Sequence, residues 1–388
     1  MSTPLYLDNA ATTPVDPAVI AAMTACLGLE GDFGNAASGH AAGRRARALV
    51  EQAREEIAAR VGAPAHNLLF TSGATEANNL ALKGAVRAHA GARKHLLTTC
   101  IEHPSVTGSA RALATEGVDV TFLPCDAEGI VAPEQVREAL DDSTVLVSVM
   151  HVNNEIGVVQ DIAAIAEICR ARGVLLHVDA AQGAGKVAVD LAGWGVDLCS
   201  LTAHKINGPK GIGALYVRDG VRLAPLIHGG DPELGVRGGT LATHQIVGMG
   251  RAYGLADPAV EGPRLAALRD QLWAGLRRID GAVRNGCARR AAPHILNVTF
   301  PGVDGTSLLL ALDDIALSQG SACASSVAEP SHVLSAIGLS DARAQSTLRF
   351  GVGRFTSAAD IDRAVARVRD EHARLASLAR SAPAWCSR

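Results

Sequence analysis

The chain of 388 residues is 48% hydrophobic and 19% charged, and its 36 Lys+Arg against 39 Asp+Glu leave a formal charge of -3. That composition excludes intrinsic disorder, and the near-neutral balance leaves no basic field for a nucleic-acid backbone or an acidic membrane surface. No stretch approaches the roughly 18 consecutive apolar residues of a membrane helix, and Met1 to Asp8 has no basic start leading into an apolar run, so a soluble cytoplasmic protein is expected.

In chain order, the first clear element is Arg44 to Val61, where Val50, Ala53, Ile57 and Val61 recur at helical spacing with charges between them; Gly62-Ala-Pro ends the helix. Short β-branched or leucine-rich runs then alternate with helical stretches up to about residue 217. The runs Leu68–Thr71, His95–Thr99, Val118–Leu123, Val145–Met150, Val174–Val178, Leu198–Leu201 and Ala214–Val217 predict a mostly parallel sheet of seven strands, covered on both faces, in an α/β fold. After Gly230 come a glycine-rich connector (GGDPELGVRGGT), a long helix within about 262 to 280, strands near Ile295–Thr299 and Thr347–Phe350, and a helix from about Asp360 to Leu378. These predict a smaller α+β unit. The expected division is a large domain at 15–255 and a small one made of 1–14 with 256–388, although sequence alone does not decide whether the N-terminal segment joins the small unit or bridges the two.

Eight cysteines stand at 26, 100, 125, 169, 199, 287, 323 and 386, with no CxxC pair and without the density of a disulfide scaffold. They read as reduced thiols. Cys169 and Cys199 lie in apolar segments and read as core; Cys323, in the small polar run QGSACASS, does not.

Three clusters carry the chemistry. In Phe70-Thr71-Ser72-Gly73-Ala74-Thr75-Glu76 a strand enters a small-residue turn and then a helix, which makes an anion site of the helix N-terminus, or only a capped helix. In LLHVDAAQ an apolar strand ends in Asp179, at the carboxyl end where open α/β sheets hold ligands. In TAHKINGPKG a lysine, Lys205, follows the next strand beside Thr202 and His204. An anion cradle, an acid and a lysine at neighbouring strand ends are what pyridoxal 5'-phosphate requires: a held phosphate, an amine to capture the aldehyde, and an anion to keep the ring nitrogen protonated. His103, which also follows a strand, is placed to cover the ring or shuttle protons. A metal site at His177, Asp179 and His204 is disfavoured because a fourth ligand is missing and the lysine would repel a cation.

The blocks YLDNAATTP, FTSGATEANNLA, EHPSV, MHVNNEIGVVQDIA, HVDAAQ, HKINGPKGIGALYVR, RGGTLATHQIVG, GSACASSVAEPSHVLSAIG and LRFGVGRFT together resemble, in order, the pyridoxal-phosphate cysteine desulfurases of the NifS/IscS type, over about residues 5 to 365. The resemblance implies a fold-type I homodimer with Lys205 as the Schiff-base lysine, His103 on the ring and Asp179 at the pyridine nitrogen. Asn154 and Gln182 would contact the ring oxygen. The phosphate would be held by Ala74, Thr75, Thr202 and His204, with Thr240 reaching from the second subunit. Arg349, assisted by Asn35, would bind the substrate carboxylate, and Cys323 matches the mobile-loop cysteine of the group I branch. Ala36, Gln319 and Thr202 depart from the usual Pro, Ser and Ser without removing a reactive group. The implied activity is conversion of L-cysteine to L-alanine with a persulfide left on Cys323, supplying an iron-sulfur scaffold or other acceptor protein. A selenocysteine lyase or aminotransferase would use the same lysine and acid, and a silent sulfur carrier would retain only the fold.

Overall fold

The apolar runs are strands because each is short, rich in β-branched or leucine side chains, and bounded by turn residues or helix starts. In the computed structural model, which describes residues 5–230, 232–319 and 330–381, they form one seven-stranded sheet. Its strands are β1 (Leu68–Thr71), β2 (His95–Thr99), β3 (Asp119–Leu123), β4 (Thr144–Met150), β5 (Leu175–Asp179), β6 (Leu198–Thr202) and β7 (Gly213–Val217), in the spatial order β1-β7-β6-β5-β4-β2-β3. The pairs are parallel except those of β7, which runs antiparallel to both β6 and β1. A sheet covered on both faces has no wet side, and this is why β4 carries Val145, Leu146, Val147, Val149 and Met150 almost without interruption and buries all of them.

The helices that cover the sheet start and stop at identifiable residues. In α1 (Ala41–Val61), the His40 imidazole accepts the Gly43 N–H at 3.2 Å at the start, and Gly62 ends it in the left-handed region at φ 62°. Helix α2 (Ala74–Ala88) follows β1, α3 (Pro104–Thr115) follows β2 with proline in its first turn, and α4 (Ile162–Ala171) is capped by Asp161, which accepts the Ala164 N–H. Helix α5 (Thr243–Leu255) packs on α1.

A second core gathers Leu5, Leu7, Leu268, Leu272, Leu276, Val298, Phe300, Leu348, Phe350, Ile361 and Val368. Here β8 (Ile295–Thr299) and β9 (Thr347–Gly351) pair antiparallel, flanked by α6 (Pro258–Leu276) and α7 (Ala358–Ser381). Helix α6 begins earlier than its apolar periodicity suggests because Asp257 caps it, accepting the Ala259 N–H, and Pro258 opens the first turn. The N-terminal segment contributes to this core: Leu5–Tyr6 pairs parallel with Ile315–Ala316. No helix of the described residues is long and apolar enough to cross a membrane.

Candidate active site

The loops leaving β1, β2, β4, β5 and β6 open at one edge of the sheet, where the chain must leave its hydrogen-bonded ladders and can offer polar groups to a ligand. A cavity of about 490 Å³ lies there, with Ala74, Thr75, His103, Asn154, Asp179, Gln182, Thr202, His204 and Lys205 all in its wall. A larger cavity of about 950 Å³ has Asn35 and Thr240 in its wall, together with a buried Arg54–Glu233 ion pair of 2.9 Å, and none of Lys205, Asp179 or His103. Arg349 lies outside the lining of both. Cys323 falls outside the described residues.

Asp179 is the last residue of β5 and is 5% exposed. Its Oδ2 accepts from Asn78 Nδ2 at 2.7 Å and its Oδ1 accepts the Ala181 N–H at 2.9 Å, so neutral dipoles orient the carboxylate. Asn78 comes from the buried face of α2 and also donates to Ser105 Oγ at 2.8 Å. Ser105 in turn meets His103: its backbone N–H donates to His103 Nδ1 at 3.1 Å, and its hydroxyl lies 2.8 Å from the same nitrogen. With Nδ1 accepting, a neutral ring carries its proton on Nε2. Burial pushes the His103 imidazole below its ordinary range, and the Lys205 and His332 charges add to this against the opposing pull of Asp179.

Lys205 follows the end of β6 and donates from Nζ to the Ala10 carbonyl, which also accepts Gln182 Nε2 at 2.7 Å. His204 Nδ1 lies 3.1 Å from Thr12 Oγ1; burial first, then the Lys205 and Lys210 charges, lower its imidazole to about 4, so it is neutral at physiological pH. The strand end is held from behind, where the Tyr253 hydroxyl of α5 donates to the Thr202 carbonyl at 3.3 Å.

The turn between β1 and α2 is shaped by two glycines. Gly73, at φ 152°, precedes the helix without a side-chain cap, and a Cβ placed there would meet nothing within 4 Å. A Cβ on Gly213, the first residue of β7, would fall 2.7 Å from Gly73 Cα, so only glycine lets that strand support the turn. Glu76 accepts the Ser72 N–H at 2.7 Å and pairs with Arg237 at 2.9 Å; burial opposes its charge, but these contacts outweigh it and hold the carboxyl below its usual range.

Arg349, in β9, is 2% exposed. Its guanidinium donates to the Asn154 carbonyl at 2.9 Å, to Asp8 Oδ1 at 3.1 Å and to Ser318 Oγ at 3.2 Å. Sequence reasoning did not find Asn78, Ser105, Glu76 or Asp8; the Ser-x-x-x-Glu spacing across the turn was the one readable signal, for Glu76.

The aminotransferase class-V family model matches residues 5–364. The chain is 50% identical to the cysteine desulfurase IscS of Aeromonas hydrophila, and equally to that of Escherichia coli, over 99% of this chain and 96% of each relative. Among solved structures, a NifS-like protein superposes with a TM-score of 0.90 at 33% identity, covering 96% of this chain and 100% of that one. SspA in complex with cysteine superposes at 0.82 and 38% identity, covering 91% and 99%. With a family match from the N-terminal strand to the last helix and half of all positions shared, the chain belongs to the aminotransferase class-V family, among the cysteine desulfurases of the NifS/IscS type.

Proposed function

We propose that the carboxyl-edge cavity is the pyridoxal 5'-phosphate site of a cysteine desulfurase that converts L-cysteine to L-alanine, leaves the sulfur as a persulfide on Cys323, and supplies iron-sulfur cluster assembly. The observation that carries this reading is the convergence of Asp179, Lys205 and the open Gly73–Thr75 turn on one cavity. The residues fit the group: the first turn of α2, without a side-chain cap, offers N–H groups to a phosphate, and Asp179 is a buried carboxylate that accepts from the neutral Asn78 amide and the Ala181 N–H. Bound there, the cofactor supplies an aldehyde for an amine and a ring that accepts electrons from the substrate Cα.

In this reading Lys205 holds the cofactor and then serves as the base at Cα, while Asp179 keeps the proton on the ring nitrogen. His103 covers the ring face, and its proton on Nε2 suits it to hand one on. Asn154 and Gln182 would contact the ring oxygen. Ala74, Thr75, Thr202 and His204 hold the phosphate with Thr240 from a second copy of the chain, and Arg349 with Asn35 receives the substrate carboxylate. Cys323, assigned from sequence, attacks the substrate sulfur as thiolate. We assign residues 15–255 to the domain that carries the cofactor and 1–14 with 256–388 to the domain that carries the cysteine loop.

Product analysis with L-cysteine tests the whole scheme. Alanine and one added sulfur on Cys323, seen by intact mass and peptide mapping, are expected; Cys323→Ser should keep the cofactor spectrum and release almost no alanine. Amino-group transfer to a keto acid, or sulfur appearing on another cysteine, would overturn it.

A further inference from the structure

Two thiols outside this machinery meet at the same edge of the sheet. Strands β2 and β3 run parallel with Thr99 in register with Leu123, and the Cys100 N–H donates to the Leu123 carbonyl at 2.9 Å. Cys100 therefore lies one residue beyond β2 and Cys125 two beyond β3, on adjacent exits. Both are half-buried, and the Cys125 thiol donates to the Ala336 carbonyl at 3.9 Å. Cys169 and Cys199, by contrast, are sealed in the core. The neighbouring Cys125 thiol lowers the Cys100 thiol and is itself raised, so Cys100 is the more readily ionised of the pair.

We propose that Cys100 and Cys125 are a redox-active dithiol that peroxide closes to a disulfide, tethering the segment that carries His103 and slowing turnover. In the first step the Cys100 thiolate attacks one oxygen of hydrogen peroxide: the S–O bond forms, the O–O bond breaks, and the departing hydroxide takes up a proton as water. Cys125 then loses its proton and attacks that sulfur; the S–S bond forms, the S–O bond breaks, and a second water leaves. The two thiols give up two electrons and two protons, and one peroxide becomes two waters. The bond requires the sulfurs to close to about 2.05 Å, drawing the exits together. Only Ile101 and Glu102 separate Cys100 from His103, and Glu102 is pinned by the Thr99 hydroxyl at 2.7 Å and the Met150 N–H at 2.8 Å, so the displacement has little slack in which to dissipate.

The test treats cofactor-loaded protein with increasing hydrogen peroxide, alkylates the remaining thiols and maps peptides by mass. A peptide joining Cys100 to Cys125, two hydrogens lighter and released by dithiothreitol, is expected. In Cys125→Ala a dimedone-reactive sulfenic acid should collect on Cys100. Full alkylation of both residues after Cys323 has oxidised would overturn the dithiol. Oxidation of Cys323 also stops turnover, so activity is compared with the Cys100→Ala/Cys125→Ala double variant treated in parallel; wild type should lose severalfold more dithiothreitol-recoverable activity, and equal losses would overturn the control of turnover. Bond formation is independent of the functional reading and only its effect on turnover rests on it, so peptide mapping and product analysis fail separately.

Discussion

Two buried charged side chains, Asp179 in the cavity wall and Arg349 outside it, are held differently. On the sheet side, Asp179 accepts from two neutral donors, Asn78 Nδ2 and the Ala181 N–H. On the β9 side, Arg349 already shares its guanidinium with the Asp8 carboxylate, the Ser318 hydroxyl and the Asn154 carbonyl. A charge oriented by dipoles keeps its electrostatic capacity for a ligand; a charge paired with its opposite also carries part of the fold, because removing one partner strands the other. Substitutions at Asp179 and its cavity neighbours should therefore change chemistry with little loss of stability, and those at Arg349 should change both.

The largest effect is expected at Lys205→Ala. Removal of a general base costs about 10² to 10⁴-fold, and loss of the cofactor-capturing amine adds to it, so L-cysteine turnover should fall by at least about 10³-fold with the melting temperature of the cofactor-free protein nearly unchanged. Cofactor absorbance together with alanine assay reads both effects, and normal turnover would remove Lys205 from the site. Next, Asp179→Asn keeps shape and removes charge; kcat should fall about 10²-fold while KM for L-cysteine moves little. A change confined to KM would contradict the role given to that carboxylate.

Arg349→Ala is expected to raise KM about tenfold and also to destabilise the fold by about 3 kcal/mol, since Asp8 loses its cation in a largely buried setting. Denaturant titration beside steady-state kinetics separates these, and an unchanged stability would erase the contrast between the two charges. The last expectation concerns pH. Burial pushes the Glu102 carboxyl up to about 8 from 4.5, partly offset by the Thr99 and Met150 contacts. The native state thus binds a proton that the unfolded chain has released, so this group's contribution is complete below about pH 4.5 and declines as pH rises towards 8. Glu102→Gln keeps the accepting oxygen and removes the titration, and the fall in melting temperature across that window should flatten. A slope identical to wild type would count against the burial account.

The sheet was legible because a strand buried on both faces cannot alternate with polar residues, so runs such as Thr144–Met150 stand out, and Asp179 and Lys205 are conspicuous by following them. Their supports were not legible. In Glu76-Ala77-Asn78-Asn79-Leu80 either asparagine has the chemistry to reach Asp179; the rotational setting of α2 on the sheet buries Asn78 completely and leaves Asn79 half-buried, donating to the Thr75 carbonyl. Glu233 and Leu234 adopt left-handed backbone, φ 52° and 59°, and Glu233 turns in to meet Arg54; non-glycine residues in that region have no sequence signature. The Arg349–Asp8 pair joins residues 341 positions apart, a distance over which no local pattern speaks.

One carbonyl, that of Ala10, accepts from both Lys205 and Gln182, on a segment whose strand pairs with Ile315–Ala316 and whose Asn9 side chain donates to the Gly351 carbonyl. During synthesis this segment is made before every strand of the large sheet, yet its last partner, Gly351, is made after all of them. The large sheet has all its strands by Val217 and can assemble while translation continues, whereas the lysine and glutamine cannot reach their final positions until residue 351 has emerged. Competence to load a cofactor is thus expected only after residue 351 is made, and a nascent chain arrested at about residue 300 should bury its sheet and still fail to bind pyridoxal phosphate.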